Sequence, residues 1–366
     1  MDASPVPGRY GGDRMNNNPQ WADDVKAESD AHAEAEANDE SDELPQSFMS
    51  GGSFVLDVPD TPPAIWGAGG EVLWAEGESL IIAAPQGVGK TTVAFQLVRA
   101  RLGLQSDVLG FPVAKGNRVL YLAMDRPAQA QRAANRLFAK DSREVLDENL
   151  VVWKGPPPFD LAKRTDILAA MCERAKADTV IVDSLKDAAI GLSEDPVGAG
   201  WNRARQRALA AGVQVLELHH NRKAGTNGGE PNTIADVYGS VWITSGSGSI
   251  VSLYGEPGDP VVSLRHLKQP MNEVGPFRVV HDHLTGISTV QHTTDLFDLV
   301  RGGGPDGLTA RRAAESLFDT NKPSAAQVEK ARRKLETLRE AGHLIRHDGP
   351  SKTSPATYYL QLRQAS

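Results

Sequence analysis

Short apolar runs alternate with longer amphipathic stretches through the middle of this chain. The runs are Leu80 to Ala83, Arg118 to Ala123, Leu150 to Trp153, Thr179 to Val182 and Val213 to Leu218. Helical spacing at Val93, Phe95, Leu97 and Val98 follows the first, and Ala/Arg-rich stretches run from about Pro127 to Ala139, Asp166 to Ala177 and Gly198 to Ala211. Apolar runs of strand length separated by helices predict an α/β core whose mostly parallel sheet is covered on both faces. Folded sequence is expected to begin near Phe54, where Val55 to Val58 meet the turn-rich Pro59 to Pro63. Val72-Leu73-Trp74 reads as a lead-in to the Leu80 strand.

From Ser249 the texture changes. Ser249 to Tyr254, Val261 to Leu267 and Phe277 to His281 are separated by short Gly/Pro turns and read as antiparallel strands extending the sheet edge. A new unit starts near Thr294, with helical spacing at Asp295 to Val300, Thr309 to Phe318 and Ser324 to Ala341. Leu344 to His347 and Tyr358 to Leu362 then flank a Gly/Pro/Ser/Lys turn. Three helices and a two-stranded hairpin are the order of a winged helix, and Ser324 after Pro323 is placed to cap the third helix. The chain thus divides into a tail over 1–52, an α/β domain over 53–290 and a winged helix over 291–366.

Composition sharpens only the first of these. The chain of 366 residues is 40% apolar, enough for an α/β core and one smaller unit. Residues 1 to 48 hold 12 Asp/Glu against 3 Lys/Arg, a balance of −9 against −8 for the whole, so the remainder is near neutral. This segment has too few large apolar residues to offset the entropy of ordering, which predicts an unstructured acidic tail, either solvated, bound to a partner or competing for a DNA site. No run approaches a membrane span and no basic-then-apolar signal opens the chain, so a cytoplasmic protein without a membrane partner is expected. Cys172, the single cysteine, lies beside Met171 in a helical pattern and reads as a core thiol.

The candidate chemistry centres on Ala84-Pro85-Gln86-Gly87-Val88-Gly89-Lys90-Thr91, followed by Thr92, between the Leu80 strand and a helix. A strand, a glycine-containing turn and a helix N-terminus aim backbone N–H groups at one point, where Lys90 adds positive charge for β- and γ-phosphates. Pro85 to Thr92 are the nucleotide-binding candidates, and the Thr91 hydroxyl is the Mg²⁺ candidate. Ala84 stands where the usual motif has its first glycine, which suits a backbone at negative φ. About ninety residues on, Thr179-Val180-Ile181-Val182-Asp183 ends a strand in an acid that can hold Mg²⁺ through water, because ligands of parallel sheets bind at the carboxyl ends of strands. Ser184 adds a hydrogen bond there, and Asp187 caps or solvates the next loop.

Hydrolysis also needs a group that deprotonates or orients water. Val119 to Asp125 ends a second strand in an acid, and Asp125 reads equally as that base or as the N-cap of a helix opened by Arg126-Pro127. His220, in His219-His220-Asn221-Arg222-Lys223, ends a third strand and is the candidate γ-phosphate sensor. The Gly-rich stretch from Ala224 to Ser249 is long enough to be functional, and with Arg222 and Lys223 it can grip single-stranded nucleic acid. The third helix of the last unit carries Lys330, Arg333 and Lys334 as DNA-contact candidates, diluted by Glu329, Glu336 and Glu340, and a protein-contact role stays open.

On these residues the chain resembles the RecA-like P-loop ATPases, in the branch of RepA-type hexameric plasmid helicases and phage replication ATPases. The resemblance covers about 54 to 285 and rests on Ala84 to Thr92, Val119 to Asp125, Val180 to Ser184 and His219 to Lys223. It implies ATP and Mg²⁺ as ligands, a ring of six, single-stranded DNA in the channel and replication partner proteins. Arg265-His266-Leu267-Lys268-Gln269-Pro270 is similar to the strand from which DnaB-like enzymes send basic residues into a neighbour's ATP site, so Lys268 is the matching trans-acting cation and Arg265 the second choice. Two positions depart from the pattern. Asp125 stands where the family has glutamate, and Pro270 where a second basic residue is common.

The expected activity is therefore a DNA-dependent ATPase working as a hexameric helicase or helicase-like motor in phage or plasmid replication. A RecA-like recombination ATPase on single strands shares every ATP-site residue, and an ATP-gated DNA-binding regulator is the third reading.

Overall fold

The computed structural model describes residues 48–222, 230–291, 296–318, 320–340, 342–349 and 354–361. The acidic segment expected over 1–52 lies outside them up to residue 47. Helix α1 (Gly51–Leu56) is capped by Ser50, and all six of its residues are exposed, so the stretch around Phe54 is not the start of the core. Sheet structure starts with β1 (Ala64–Ala68) and β2 (Glu71–Ala75), which pair with each other and bury Trp66 and Trp74. β2 is thus half of a hairpin, which turns back at Gly69-Gly70 before the Leu80 strand.

Then follow β3 (Leu80–Ala83), α2 (Lys90–Arg101), the small ribbon β4 (Asp107–Val108) and β5 (Phe111–Pro112), β6 (Val119–Ala123), α3 (Pro127–Leu137), α4 (Arg143–Asn149) and β7 (Leu150–Lys154). Next come α5 (Ile167–Ala175), β8 (Thr179–Asp183), α6 (Leu185–Ala188), α7 (Asp195–Ala210), β9 (Gln214–His219) and α8 (Val241–Ser245). The domain closes with β10 (Ser249–Tyr254), β11 (Val261–Lys268), β12 (Phe277–His281) and β13 (Ser288–Gln291). Nine strands form one sheet in the order β13-β12-β11-β10-β3-β9-β8-β6-β7. β3, β6 and β9 are buried at every position, as strands covered on both faces must be.

One strand direction differs from the sequence reading. β10 runs parallel to β3, with Ser249 opposite Leu80, and only β11 to β13 are antiparallel. The chain between β9 and β10 crosses over through α8, and a crossover of that length returns a strand in the parallel sense. One face of the sheet packs on α2, α3 and the β1–β2 hairpin, the other on α5, α7 and α8, where Cys172 is buried.

The last unit contains α9 (Leu296–Gly302), β14 (Leu308–Thr309), α10 (Ala310–Leu317), α11 (Ala325–Glu340), β15 (Leu344–His347) and β16 (Thr357–Leu360). Its sheet has three strands, order β14-β16-β15, because Leu308 and Thr309 add a short strand beside the expected hairpin. Val300, Ala313, Ala331, Leu335 and Tyr358 form a core of its own. α11 begins in a reciprocal cap: Gln327 N donates to Ser324 Oγ at 3.3 Å and Ser324 N to Gln327 Oε1 at 2.8 Å. Among the described residues no helix is long and apolar enough to cross a membrane.

Candidate active site

The central strand β3 delivers the chain to the carboxyl edge of the sheet, and α2 leaves from Lys90 after a six-residue loop. Gly87 (φ +80°) and Gly89 (φ +98°) hold left-handed conformations that glycine adopts freely. At Gly89 space adds a second demand, since a Cβ there would overlap the His281 ring. The loop is held from below and beside. His281 Nε2 lies 3.2 Å from Val88 O and its Nδ1 2.7 Å from Ser288 Oγ. A carbonyl only accepts, so Nε2 carries the hydrogen and Nδ1 accepts from Ser288. Gly258 N donates to Gly87 O at 3.2 Å, and Ala84 N to His219 O at 3.2 Å.

Lys90 Nζ donates to Ala84 O and Pro85 O, both at 2.8 Å, within the loop it belongs to. Burial pulls its ammonium down to about 8, against the opposing pull of Asp183. Asp183 comes from the end of β8, two strands away from β3. Its Oδ2 accepts from Thr91 Oγ1 at 3.4 Å and from Tyr121 OH at 2.5 Å. Burial pushes its carboxyl above the usual carboxylate range, while Tyr121, Lys90 and Thr91 resist and the Asp125 charge adds to the rise. The next peptide, Asp183–Ser184, is cis, and Ser184 Oγ donates to Asp187 Oδ2 at 2.6 Å, which pairs those two residues with each other.

Asp125 lies two residues beyond β6 on the same edge, half exposed, with its carboxylate 3.4 Å from Arg126 Nε. The N-cap of α3 is Arg126, with Pro127 opening the helix and no side-chain cap bond, so Asp125 does not cap it. Arg126 also faces the exposed Gln86 of the loop, whose carboxamide oxygen accepts from the guanidinium once the amide is oriented by its neighbours. The two histidines after β9 divide. His219 is fully buried with Nε2 2.7 Å from Tyr238 O, and burial takes its ring down to about 4. His220 is half-buried beside Ala84, with its pKa lowered by burial and then by Lys90. Val88 is buried in the core, whereas Pro85 and Thr92 are half-buried.

The remaining sequence candidates lie elsewhere. Lys268 pairs across the sheet with Ile250, itself opposite Ile81, and its Nζ donates to Thr244 O at 3.1 Å and Ser245 O at 2.9 Å, a cation at the C-terminus of α8. It does not enter the phosphate loop of its own chain. Arg265 is paired with Glu230, Nε to Oε1 at 2.9 Å. Arg222 is exposed three residues beyond β9, and Lys223 and residues 224–229 lie outside the described residues, whereas residues 230–249 of the glycine-rich stretch are described and include α8. A correction concerns α11. Lys330 Nζ is 2.7 Å from Glu273 Oε1 and Lys334 Nζ donates to Gly275 O at 3.1 Å, so both hold this unit against the α/β domain and are not offered to DNA as a free basic face. Arg333 stays largely exposed, beside Glu329.

Two contributors escape the sequence reading. Tyr121 is a polar tip inside an apolar run that ends in an acid, and that was its only signal. His281 lies 192 residues after Gly89, and nothing local links them.

With this geometry in place, comparison with known proteins gives three findings. Residues 53–226 match the AAA domain family model. No curated protein matches the chain. Among solved structures, a KaiC-like protein of the hyperthermophilic archaeon Pyrococcus horikoshii is similar at a TM-score of 0.42 and 11% identity, over 60% of this chain and 91% of that one. The sheet, the loop and its acid define an α/β domain with a P-loop-type turn at the carboxyl edge of a mostly parallel sheet. The residues present fit a nucleotide with Mg²⁺: the Thr91 hydroxyl and Asp183 carboxylate converge at one point, and the Lys90 ammonium lies against the same loop.

Proposed function

We propose that this protein is a DNA-dependent ATP hydrolase, working as a hexameric helicase or helicase-like motor in phage or plasmid DNA replication. The observation that carries the reading is convergence. Lys90 and Thr91 from the loop meet Asp183 from β8, with Asp125 and His220 following β6 and β9 at the same edge.

Each residue has a distinct task on this reading. The loop N–H groups and Lys90 bind the β- and γ-phosphates, and Thr91 and Asp183 hold Mg²⁺, which when bound neutralises phosphate charge. Asp125 accepts the proton of the attacking water, and its one-methylene deficit against glutamate implies slow turnover. His220 reads the γ-phosphate and passes its state to Arg222 and the loop that follows. Lys268 serves a neighbouring subunit, and its distance from its own phosphate loop supports that arrangement. The C-terminal unit, in winged-helix order, gives DNA or partner contact through the exposed side of α11.

The test is strand separation on a forked DNA substrate, with turnover recorded with and without single-stranded DNA and Lys90→Ala as control. Unwinding and DNA-stimulated turnover are expected, both lost in the variant. DNA-stimulated turnover without unwinding would favour the recombinase, turnover indifferent to DNA would favour the regulator, and an unimpaired Lys90→Ala would overturn the site.

A further inference from the structure

Thr91 and Phe95 are four residues apart on α2 and so lie on one face of the helix, one turn above the other. That face meets the sheet where β6 and β8 run side by side. Thr91 reaches Asp183 of β8, and Phe95 stacks on Tyr121 of β6 with ring centroids 4.4 Å apart and planes 5° from parallel. In the β6–β8 register Asp183 stands opposite Ala123 and Tyr121 opposite Ile181. Tyr121 and Asp183 are therefore diagonal neighbours, a separation that a ring the length of tyrosine spans. The small Ala123 side chain leaves the path clear. The phenol arrives with its OH 2.5 Å from Asp183 Oδ2 while the ring is 1% exposed.

We infer that Tyr121 is a positioning residue for the metal-holding acid of this site. This rests on the nucleotide-site reading above and names a residue that reading does not need. Asp183 sits at the end of its strand, buried beside Lys90, and a carboxylate there can rotate about two bonds. Both of its side-chain hydrogen bonds, from Tyr121 and from Thr91, fall on Oδ2. The bond from Tyr121 is the shorter, and its donor is fixed by a stacked ring in the core. Tyr121 thereby sets the plane of the carboxylate that, with Thr91, would hold Mg²⁺ through water. Phe95 contributes indirectly by holding the ring.

The test measures Mg²⁺ dependence of nucleotide binding in the full chain, by titrating a fluorescent ATP analogue at fixed Mg²⁺ concentrations and without Mg²⁺. Tyr121→Phe keeps the stacked ring and removes the hydroxyl. The Mg²⁺ concentration at half-effect should rise roughly ten-fold, the weight of one charge-assisted hydrogen bond, with Mg²⁺-free affinity and melting temperature close to the parent. Phe95→Leu removes the stacking but keeps the hydroxyl, and should lower the melting temperature while moving the Mg²⁺ half-effect much less. An unchanged Mg²⁺ requirement in Tyr121→Phe would overturn the inference, and so would an equal shift in Phe95→Leu. Loss of binding in Lys90→Ala alongside either result shows that only the role of Tyr121 has failed. Binding retained in Lys90→Ala would instead remove the site reading itself.

Discussion

His281 supports the phosphate loop as a neutral ring, and two other histidines are buried in the same domain. His219 and His266 are pulled down to about 4 by burial, and His281 is lowered by the same cause. An unfolded chain takes up protons at these sites near 6.5, before the folded one does, so folding stability is full above that pH and is lost as pH falls toward 4. Each of the two deepest rings can account for about 3 kcal/mol at most over that window. Asp183, with its carboxyl raised by burial, acts in the opposite sense near the acid end and softens the fall. Melting temperature should therefore be flat from pH 8 to 7 and drop steeply between 6 and 4.5. A flat profile down to pH 4.5 would show that these rings are not held neutral. Gly89 was legible as a phosphate-loop glycine, but the ring that fills the space above its Cα was not, because β12 is brought there by the antiparallel edge of the sheet.

At the scale of elements, the most exacting contact is the Arg205–Glu217 pair, which ties α7 to β9. Both side chains are fully buried, with Arg205 Nη2 2.8 Å from Glu217 Oε2 and Nε 2.5 Å from Oε1. Arg205 Nη2 also donates to Ile243 O at 3.0 Å and Nη1 to Asn202 Oδ1 at 3.0 Å, so α8 is held by the same guanidinium. Removing one partner leaves an uncompensated buried charge. Glu217→Gln should destabilise the domain by about 3–5 kcal/mol, read as a lower urea midpoint at unchanged slope. An effect below about 1 kcal/mol would mean that water reaches the pair. Val215-Leu216-Glu217-Leu218 was readable as a strand, but the partner of its glutamate was not. That partner lies on α7, and a sequence pattern does not show which helix covers which face.

For the whole molecule the question is how the C-terminal unit sits on the α/β domain. Lys330 and Lys334 grip Glu273 and Gly275, in the segment that follows Lys268. The half-exposed Lys330 pair contributes at most about 1 kcal/mol and the Lys334 bond about 1–3 kcal/mol. Lys330→Ala combined with Lys334→Ala should leave the Lys90-dependent nucleotide affinity intact while splitting thermal unfolding into two transitions and speeding proteolytic release of the C-terminal unit. A single unsplit transition would show that apolar contacts carry the docking alone.

The sequence by itself determined the parallel core, the phosphate loop, the strand-ending acids Asp125 and Asp183 and the helical order of the last unit, because each is written in a run of neighbouring residues. Tertiary structure decided what those runs touch. It turned β10 parallel to β3, set His281 under Gly89, gave Tyr121 to Asp183, and turned two lysines of α11 inward to Glu273 and Gly275. The physical reason is common to all four. Periodicity fixes which face of an element is apolar, whereas partners are fixed by strand order and crossover, which join residues tens to hundreds of positions apart.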